Sequence, residues 1–245
     1  MQRYFAEMKD GNIILEQDDI FHIVKVMRNS VGSVIQLVAD NKAYEVKITS
    51  INPFKFEVIK SLDEDPELDG YIRLLYCLPK GEKLDIVIQK AVELGASEIV
   101  LVNSSRCIKK IKKDDYSSKL VRFNKIIKEA SEQSKRSNLM KLTDIIDYKD
   151  IGKYKADKSF IAYELSDSNI SSLYDDFKGI HGKTINILVG SEGGFSAEEV
   201  DYAIKCGYKS ISLGKRILRS ETSCFYVLSL LSFFMESKIW NYSKF

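Results

Sequence analysis

Residues 188–200 read LVGSEGGFSAEEV and residues 213–223 read LGKRILRSETS, and these two stretches decide the fold. The first follows an apolar run at 185–189, which has the length of a strand. Gly190, Gly193 and Gly194 then allow close approach of backbone to a ligand, and Ser196 with Glu199 three residues on forms a capping box that opens a helix. In the second stretch Gly214 breaks the short strand 210–213, and Lys215, Arg216 and Arg219 gather positive charge. Ser220 caps a helix whose first turn holds Glu221, well placed against the helix dipole. Two strand–loop–helix units of this kind put two flexible loops at the carboxyl ends of neighbouring strands, where open α/β sheets bind ligands. Taken alone, GxxGG is more often an ordinary turn; the cationic loop beside it shifts the balance toward a binding site. The glycine spacing does not fit the GxGxxG dinucleotide fingerprint. Nor is Gly182-Lys183-Thr184 a phosphate-binding loop, because Phe177 stands where its first glycine belongs and a strand follows.

Working outward, strand and helix patterns alternate from residue 71 onward. Strands are expected at 72–77, 99–102, 160–163, 185–189 and 210–213. Leu84, Val87, Ile88 and Ala91 recur at helical spacing with Gly95 as the stop, and Leu120, Phe123, Ile127, Ala130 and Ser134 mark a long helix. This is an α/β sheet. Residues 63–70, DEDPELDG, are acidic, carry proline and glycine and have no apolar period, so they read as a solvated linker. Before them lie short alternating runs at 34–38, 44–48 and 54–59 and one helix from Asp18 or Asp19 to Met27, the pattern of a small β-barrel. The chain therefore divides into a barrel domain, 1–70, and an α/β domain, 71–245.

At 245 residues and 44% hydrophobic the chain can bury a sizeable core. Cys77, Cys107, Cys206 and Cys224 show no CxxC pairing, and His22 and His181 are the two histidines, so no metal site or disulfide framework is expected and a reducing cytoplasm fits. The opening MQRYFAEMKDGN lacks the apolar core of a signal peptide, and the greasy stretch 224–235 is too short to span a bilayer, so no membrane partner is expected. That stretch is apolar almost all round, with Phe225, Leu228, Leu231 and Phe234 on one side and Tyr226, Leu230 and Phe233 on another. It is either a central core helix or half of a dimer interface.

Charge divides unevenly. Residues 1–70 carry 8 Lys plus Arg against 13 Asp plus Glu, and residues 71–245 carry 29 against 22, so a balance of −5 faces one of +7. The densest basic run is Arg106, Lys109, Lys110, Lys112 and Lys113, followed by Lys119, Arg122, Lys125 and Lys128. Such a run either neutralises phosphates, with salt-sensitive affinity, or is a solvated charged face.

Four ordered segments, VGSEGGFSAEE (189–199), LGKRILRSETS (213–223), KAVELG (90–95) leading to Arg106, and EQSKR (132–136), together resemble the ribosomal RNA small-subunit uridine-N3 methyltransferase family of the knotted SPOUT superfamily. The chain departs from that family's usual pattern at Ser191 (commonly proline), Ser220 and Ser223 (threonine and alanine) and Lys135 (glycine). The resemblance implies a SPOUT-type α/β domain with a trefoil knot, which nothing in the periodicity shows, preceded by a PUA-like RNA-binding barrel. It implies S-adenosyl-L-methionine as cofactor, 16S rRNA of the small ribosomal subunit as partner, a homodimer and a cytoplasmic location. It assigns cofactor binding to Leu165, Gly190, Glu192, Gly193, Gly194, Leu213, Gly214, Ile217 and Leu218. Arg106 and Arg219 would hold the uracil or its phosphate, with Glu221 or Glu192 as general base; Glu221 equally serves as a plain complement to the helix dipole. RNA contact falls to Arg28, Lys109, Lys110, Lys112, Arg136 and Arg216. The alternatives are a SPOUT methyltransferase modifying another RNA position and a non-catalytic RNA-binding assembly factor.

Overall fold

A computed structural model of the chain describes residues 1–80, 83–107, 111, 113–164, 170 and 172–237. It separates into two compact units, one of Met1–Glu67 with Lys128–Leu139, the other of Leu68–Ile127 with Met140–Phe245. In chain order the first unit holds β1 (Arg3–Phe5), β2 (Glu7–Lys9), β3 (Asn12–Ile14), α1 (Gln17–Phe21), β4 (Val34–Ala39), β5 (Lys42–Ile51) and β6 (Phe54–Leu62). Strands β1, β4, β5 and β6 form one sheet in that order, with β1 parallel to β4 and the rest antiparallel, while β2 and β3 make a separate hairpin. The apolar sequence VIQLVA buries β4 almost completely. Its Ile35 and Leu37 pack with Tyr4, Leu15, Ile23, Val46 and Ile48 as the core of this unit.

Sequence places the helix here from Asp18 or Asp19 to Met27. It runs from Gln17, and its second half, His22–Val26, widens into π-helix with Ile23 buried. The acidic segment 63–70, expected as a solvated linker, is tied down on its N-terminal side. Glu64 pairs with Arg3 at 3.1 Å, and Glu67 pairs with Arg136 at 2.6 Å while accepting the Ser137 and Asn138 amides at 2.9 and 3.1 Å. Both arginine side chains are nearly fully buried, so these acids neutralise cations that would otherwise be stranded away from water.

The second unit holds β7 (Tyr71–Cys77), α2 (Lys83–Glu93), β8 (Glu98–Asn103), α3 (Lys113–Gln133, whose last turns belong to the first unit), β9 (Lys141–Asp147), β10 (Lys158–Ala162), α4 (Ser172–Phe177), β11 (Thr184–Val189), α5 (Ala197–Lys205), β12 (Lys209–Ile211) and α6 (Ser220–Glu236). Its six strands are all parallel, in the order β12-β10-β11-β7-β8-β9. Strands β7, β8 and β11 are buried on both faces, as a parallel sheet covered by helices on either side requires. Strand β9 escaped the sequence reading because KLTDIID buries only Ile145, the signature of an edge strand. The three-residue strands β1, β2 and β3 are too short to carry a period.

Register fixes what comes next. Ala162 lies beside Val189 and Ile211, and Val189 beside Tyr76, so the strands end level with one another. The segments that follow β7, β10, β11 and β12 emerge together at one edge of the sheet. Strand order also reverses here, since the chain passes from β10 to its neighbour β11 and then to β12 on the other side of β10. Crevices of this kind are the standard ligand positions of open α/β sheets.

Candidate functional site

A cavity of about 340 Å³ opens at that edge, lined by the segment after β10 (Ala162, Tyr163, Glu164), the glycine loop from Val189 to Phe195, and the cationic loop from Leu213 through Ser220 to Ser223. Its size falls within the range of small-molecule sites, about 300 to 1,000 Å³. Four of the lining residues are glycines, which leave peptide edges open to a ligand. The Gly194 amide donates to the Ser191 carbonyl at 2.9 Å, folding the loop into a tight turn, and Ser196 and Glu199 complete the expected capping box at the start of α5.

Glu199 does more than cap. While its Oε2 accepts the Ser196 amide at 3.0 Å, Oε1 accepts the Ser105 amide at 2.7 Å. The carboxylate thus ties the segment after β8 to the glycine loop. Two further bonds join the same segments: Arg106 Nη1 donates to the Gly193 carbonyl at 3.0 Å, and Ser191 Oγ to the Arg106 carbonyl at 3.3 Å. A β-carbon on residue 193 would sit 3.0 Å from Arg106 Cβ and 3.2 Å from its carbonyl oxygen, so the close approach of the two segments favours glycine there. Ser191, where the family commonly has proline, spends its hydroxyl on this junction.

On the opposite side of the cavity, Ser220 Oγ donates to the Gly190 carbonyl at 2.5 Å and lies 2.9 Å from the Tyr76 hydroxyl. Burial holds the Tyr76 phenol far above its usual pKa, so it stays neutral. Lys83, in the first turn of α2, reaches Glu192 Oε1 and Glu221 Oε2, each at 3.2 Å. Glu192 also accepts the Lys80 amide at 3.2 and 3.1 Å on its two oxygens. Partial burial pushes the Glu192 carboxyl upward, but the hydrogen bonds from its own and the Lys80 amides and from Lys83 outweigh that, and the net shift is downward. Lys83 is shifted up, by its hydrogen bonds to Glu192 and then Glu221.

The structure places the residues expected from sequence as follows. Gly190, Glu192, Gly193, Gly194, Leu213, Gly214, Ile217 and Leu218 line the cavity together with Arg216 and Arg219. Both of those arginines are exposed, and neither forms an ion pair among the described residues. Glu221 lies behind this wall on Lys83, and Arg106 stands beside it on Gly193. Arg28, in the first unit, is exposed and follows the π-helical turn in left-handed conformation (φ 55°). Arg136, expected at RNA, is instead 5% exposed and held by Glu67, a neutralised internal cation. Leu165, Lys109, Lys110 and Lys112 lie outside the described residues. Of the remaining basic run, Arg122 pairs with Asp85, and Lys128 pairs with Glu16 and Asp19 at 3.0 and 2.8 Å. Lys83, Tyr76, Ser105 and Glu164 were missed by sequence reasoning. None belongs to a local motif, and only the strand order brings them to the crevice.

The chain matches the family model for an RNA methyltransferase domain over residues 66–232 and that for an RNA methyltransferase PUA domain over 15–60. Ribosomal RNA small subunit methyltransferase E of Bacillus subtilis is 32% identical over 250 residues, covering 95% of this chain and 96% of its own. The protein of that name from Mesomycoplasma hyopneumoniae is 31% identical, covering 94% and 98%. Among solved structures, a methyltransferase from Legionella pneumophila in complex with the cofactor SAM superposes with a TM-score of 0.83 at 27% identity, covering 94% of this chain and 96% of that one. A ribosomal RNA small subunit methyltransferase E from Neisseria gonorrhoeae bound to S-adenosyl methionine gives 0.81 at 25% identity, covering 95% and 97%. No helix among the described residues is long and apolar enough to cross a membrane.

Proposed function

Because this chain belongs to the RNA methyltransferase family, carrying both its catalytic and its PUA domain, we propose that it transfers the methyl group of S-adenosyl-L-methionine to N3 of a uridine in 16S rRNA of the small ribosomal subunit. The observation that carries the reading is the cavity between the two loops, in a chain whose fold closely matches that of two methyltransferases solved with SAM bound.

The cofactor supplies an activated methyl group on a sulfonium, so the protein has to bind, orient, exclude water and handle one proton. The peptide edges of residues 190–195 and 213–218 suit an adenosine and a methionine moiety. Exposed Arg219 and Arg216 on the cavity wall, with Arg106 on the Gly193 carbonyl, suit the nucleotide's phosphate or the anion that N3 becomes on losing its proton. Held there, the cofactor would give up its methyl group to N3 as the carbon–sulfur bond breaks, leaving as S-adenosylhomocysteine with a neutral sulfur. Glu221 is the proposed proton acceptor. Glu192, which itself lines the cavity, is the alternative acceptor, although its hydrogen bonds hold its carboxyl below the usual range. Pre-aligned nitrogen, carbon and sulfur can be worth about 7 to 11 kcal/mol, so positioning outweighs the base in this reaction.

Residues 1–70 serve as the RNA-binding domain and 71–245 as the catalytic and dimerising one. The trefoil knot is proposed from the resemblance to the knotted SPOUT methyltransferases; α6, which follows the cationic loop, packs on β11 and α2. Homodimerisation is supported by α6 itself: Leu228, Leu231 and Phe234 are buried, whereas Phe233 is 56% exposed beside half-covered Tyr226 and Leu230. A cytoplasmic site of action follows from the proposed substrate. The test is to incubate the protein with methyl-labelled cofactor and either naked 16S rRNA or small subunits, then digest and identify the nucleoside by mass spectrometry. Label in 3-methyluridine supports the reading. Label in another nucleoside or a ribose, or none with calorimetry showing no cofactor binding, overturns it.

A further inference from the structure

We propose that Lys83 is a positioning residue for the methyl-transfer site, fastening the two cofactor loops to each other from outside the cavity; this rests on the reading that the cavity takes S-adenosylmethionine. Lys83 belongs to neither loop. Its ammonium nevertheless lies 3.2 Å from Glu192 in the glycine loop and 3.2 Å from Glu221 at the start of α6, directly after the cationic loop. Two carboxylates cannot bridge to one another, so the cation is what joins them. The neighbouring residue of α6, Ser220, is also bonded to the glycine loop, at the Gly190 carbonyl, so the two loops are pinned twice.

The carboxylates are mostly withdrawn from water, with side chains 28% and 17% exposed. Removing the ammonium leaves two partly desolvated anions close together, and they relieve their repulsion by separating or by taking up a proton. Either response displaces loop backbone that the ligand needs in place. Lysine at 83 therefore sets the width of the cavity without touching the ligand itself.

Calorimetry on the full-length protein with S-adenosylmethionine and, separately, S-adenosylhomocysteine tests this. Lys83→Met is expected to raise Kd for both ligands by the same factor, about tenfold, equivalent to one lost coupling of moderate size. Lys83→Arg, which keeps charge and reach, is expected to recover most of the loss. Adding Glu221→Gln to Lys83→Met is expected to improve binding over Lys83→Met alone, because it removes the repulsion; a merely structural lysine would not give that reversal. Unchanged Kd values in Lys83→Met overturn the proposal. So does a loss confined to S-adenosylhomocysteine, since deleting a cation favours the sulfonium by field alone and that pattern would mean the lysine acts through its field rather than through loop position. If Lys83→Met fails to fold, Glu221→Gln alone breaks one arm of the bridge and has to weaken both ligands equally, unchanged values again overturning the idea. A wild type that binds neither ligand brings down the functional reading and this inference with it; a wild type that binds both beside an unaffected variant brings down this inference alone.

Discussion

Arg219 occupies the N-cap position of α6 with no side-chain capping bond, and its guanidinium is exposed at the cavity wall. A residue so placed contributes little to folding, so Arg219→Ala is expected to leave cofactor affinity within about twofold while lowering methyl transfer to RNA by about 100-fold or more, the scale of one lost electrostatic stabiliser. Calorimetry beside a methylation assay separates the two, and retained turnover would remove Arg219 from the mechanism. Glu132, in the EQSKR motif, makes a different case. Burial raises its pKa from 4.5 to about 7, with Asp19 and Glu129 adding to the rise and the Phe5 amide and Lys128 opposing it. The folded chain therefore holds a proton that the unfolded chain releases between those two values, and stability falls as pH rises from about 4.5 to about 7. Glu132→Gln keeps the shape and abolishes this slope. Thermal melts of variant and wild type should coincide near pH 4 and diverge by pH 8, the variant being more stable by on the order of 1 to 2 kcal/mol after allowance for partial solvent exposure. Equal melting temperatures at pH 8 would contradict it.

Helix ends show how local rules were satisfied or bent at the scale of elements. Helix α2 closes with the Ala96 amide on the Ala91 carbonyl at 2.9 Å and the Gly95 amide on Val92 at 3.0 Å, with Gly95 left-handed, as its place after the apolar period led us to expect. Helix α3 ends on the same pair of bonds, Arg136 to Ser131 at 2.9 Å and Lys135 to Glu132 at 3.3 Å, but the left-handed position (φ 59°) is filled by Lys135. The departure from glycine noted in the sequence thus leaves the turn intact at a conformational cost of about 1 kcal/mol. Lys135→Gly is expected to stabilise the protein by about 0.5 to 1 kcal/mol in denaturant melts, less whatever entropy glycine adds to the unfolded chain. A loss of stability would mean the lysine side chain contributes a contact larger than the strain. The strands divide on the same principle. Fully buried β7, β8 and β11 announce themselves as apolar runs, whereas edge strand β9 and the short β1 to β3 are held by partners distant in sequence.

For the molecule as a whole, the unpaired face of α6 carries the remaining prediction. Phe233→Glu introduces charge where Phe233 is 56% exposed, so it should leave the subunit folded and shift it from dimer to monomer in sedimentation equilibrium. A wild type that sediments as a monomer would refute the dimer. The sequence by itself determined the α/β class, the small β-rich unit before it, the two loops and the ordered motifs of the family, because strand-to-helix turns and caps are written in neighbouring residues. Tertiary structure alone decided that Lys83 meets Glu192 and Glu221, that Glu199 holds Ser105, and that Arg136 turns inward onto Glu67. Those partners lie tens to more than a hundred residues apart, and a charged side chain's local sequence does not record whether its countercharge is water or a distant carboxylate. Only the tertiary fold of each unit carries that information, in the second unit through the order in which the parallel strands are laid side by side.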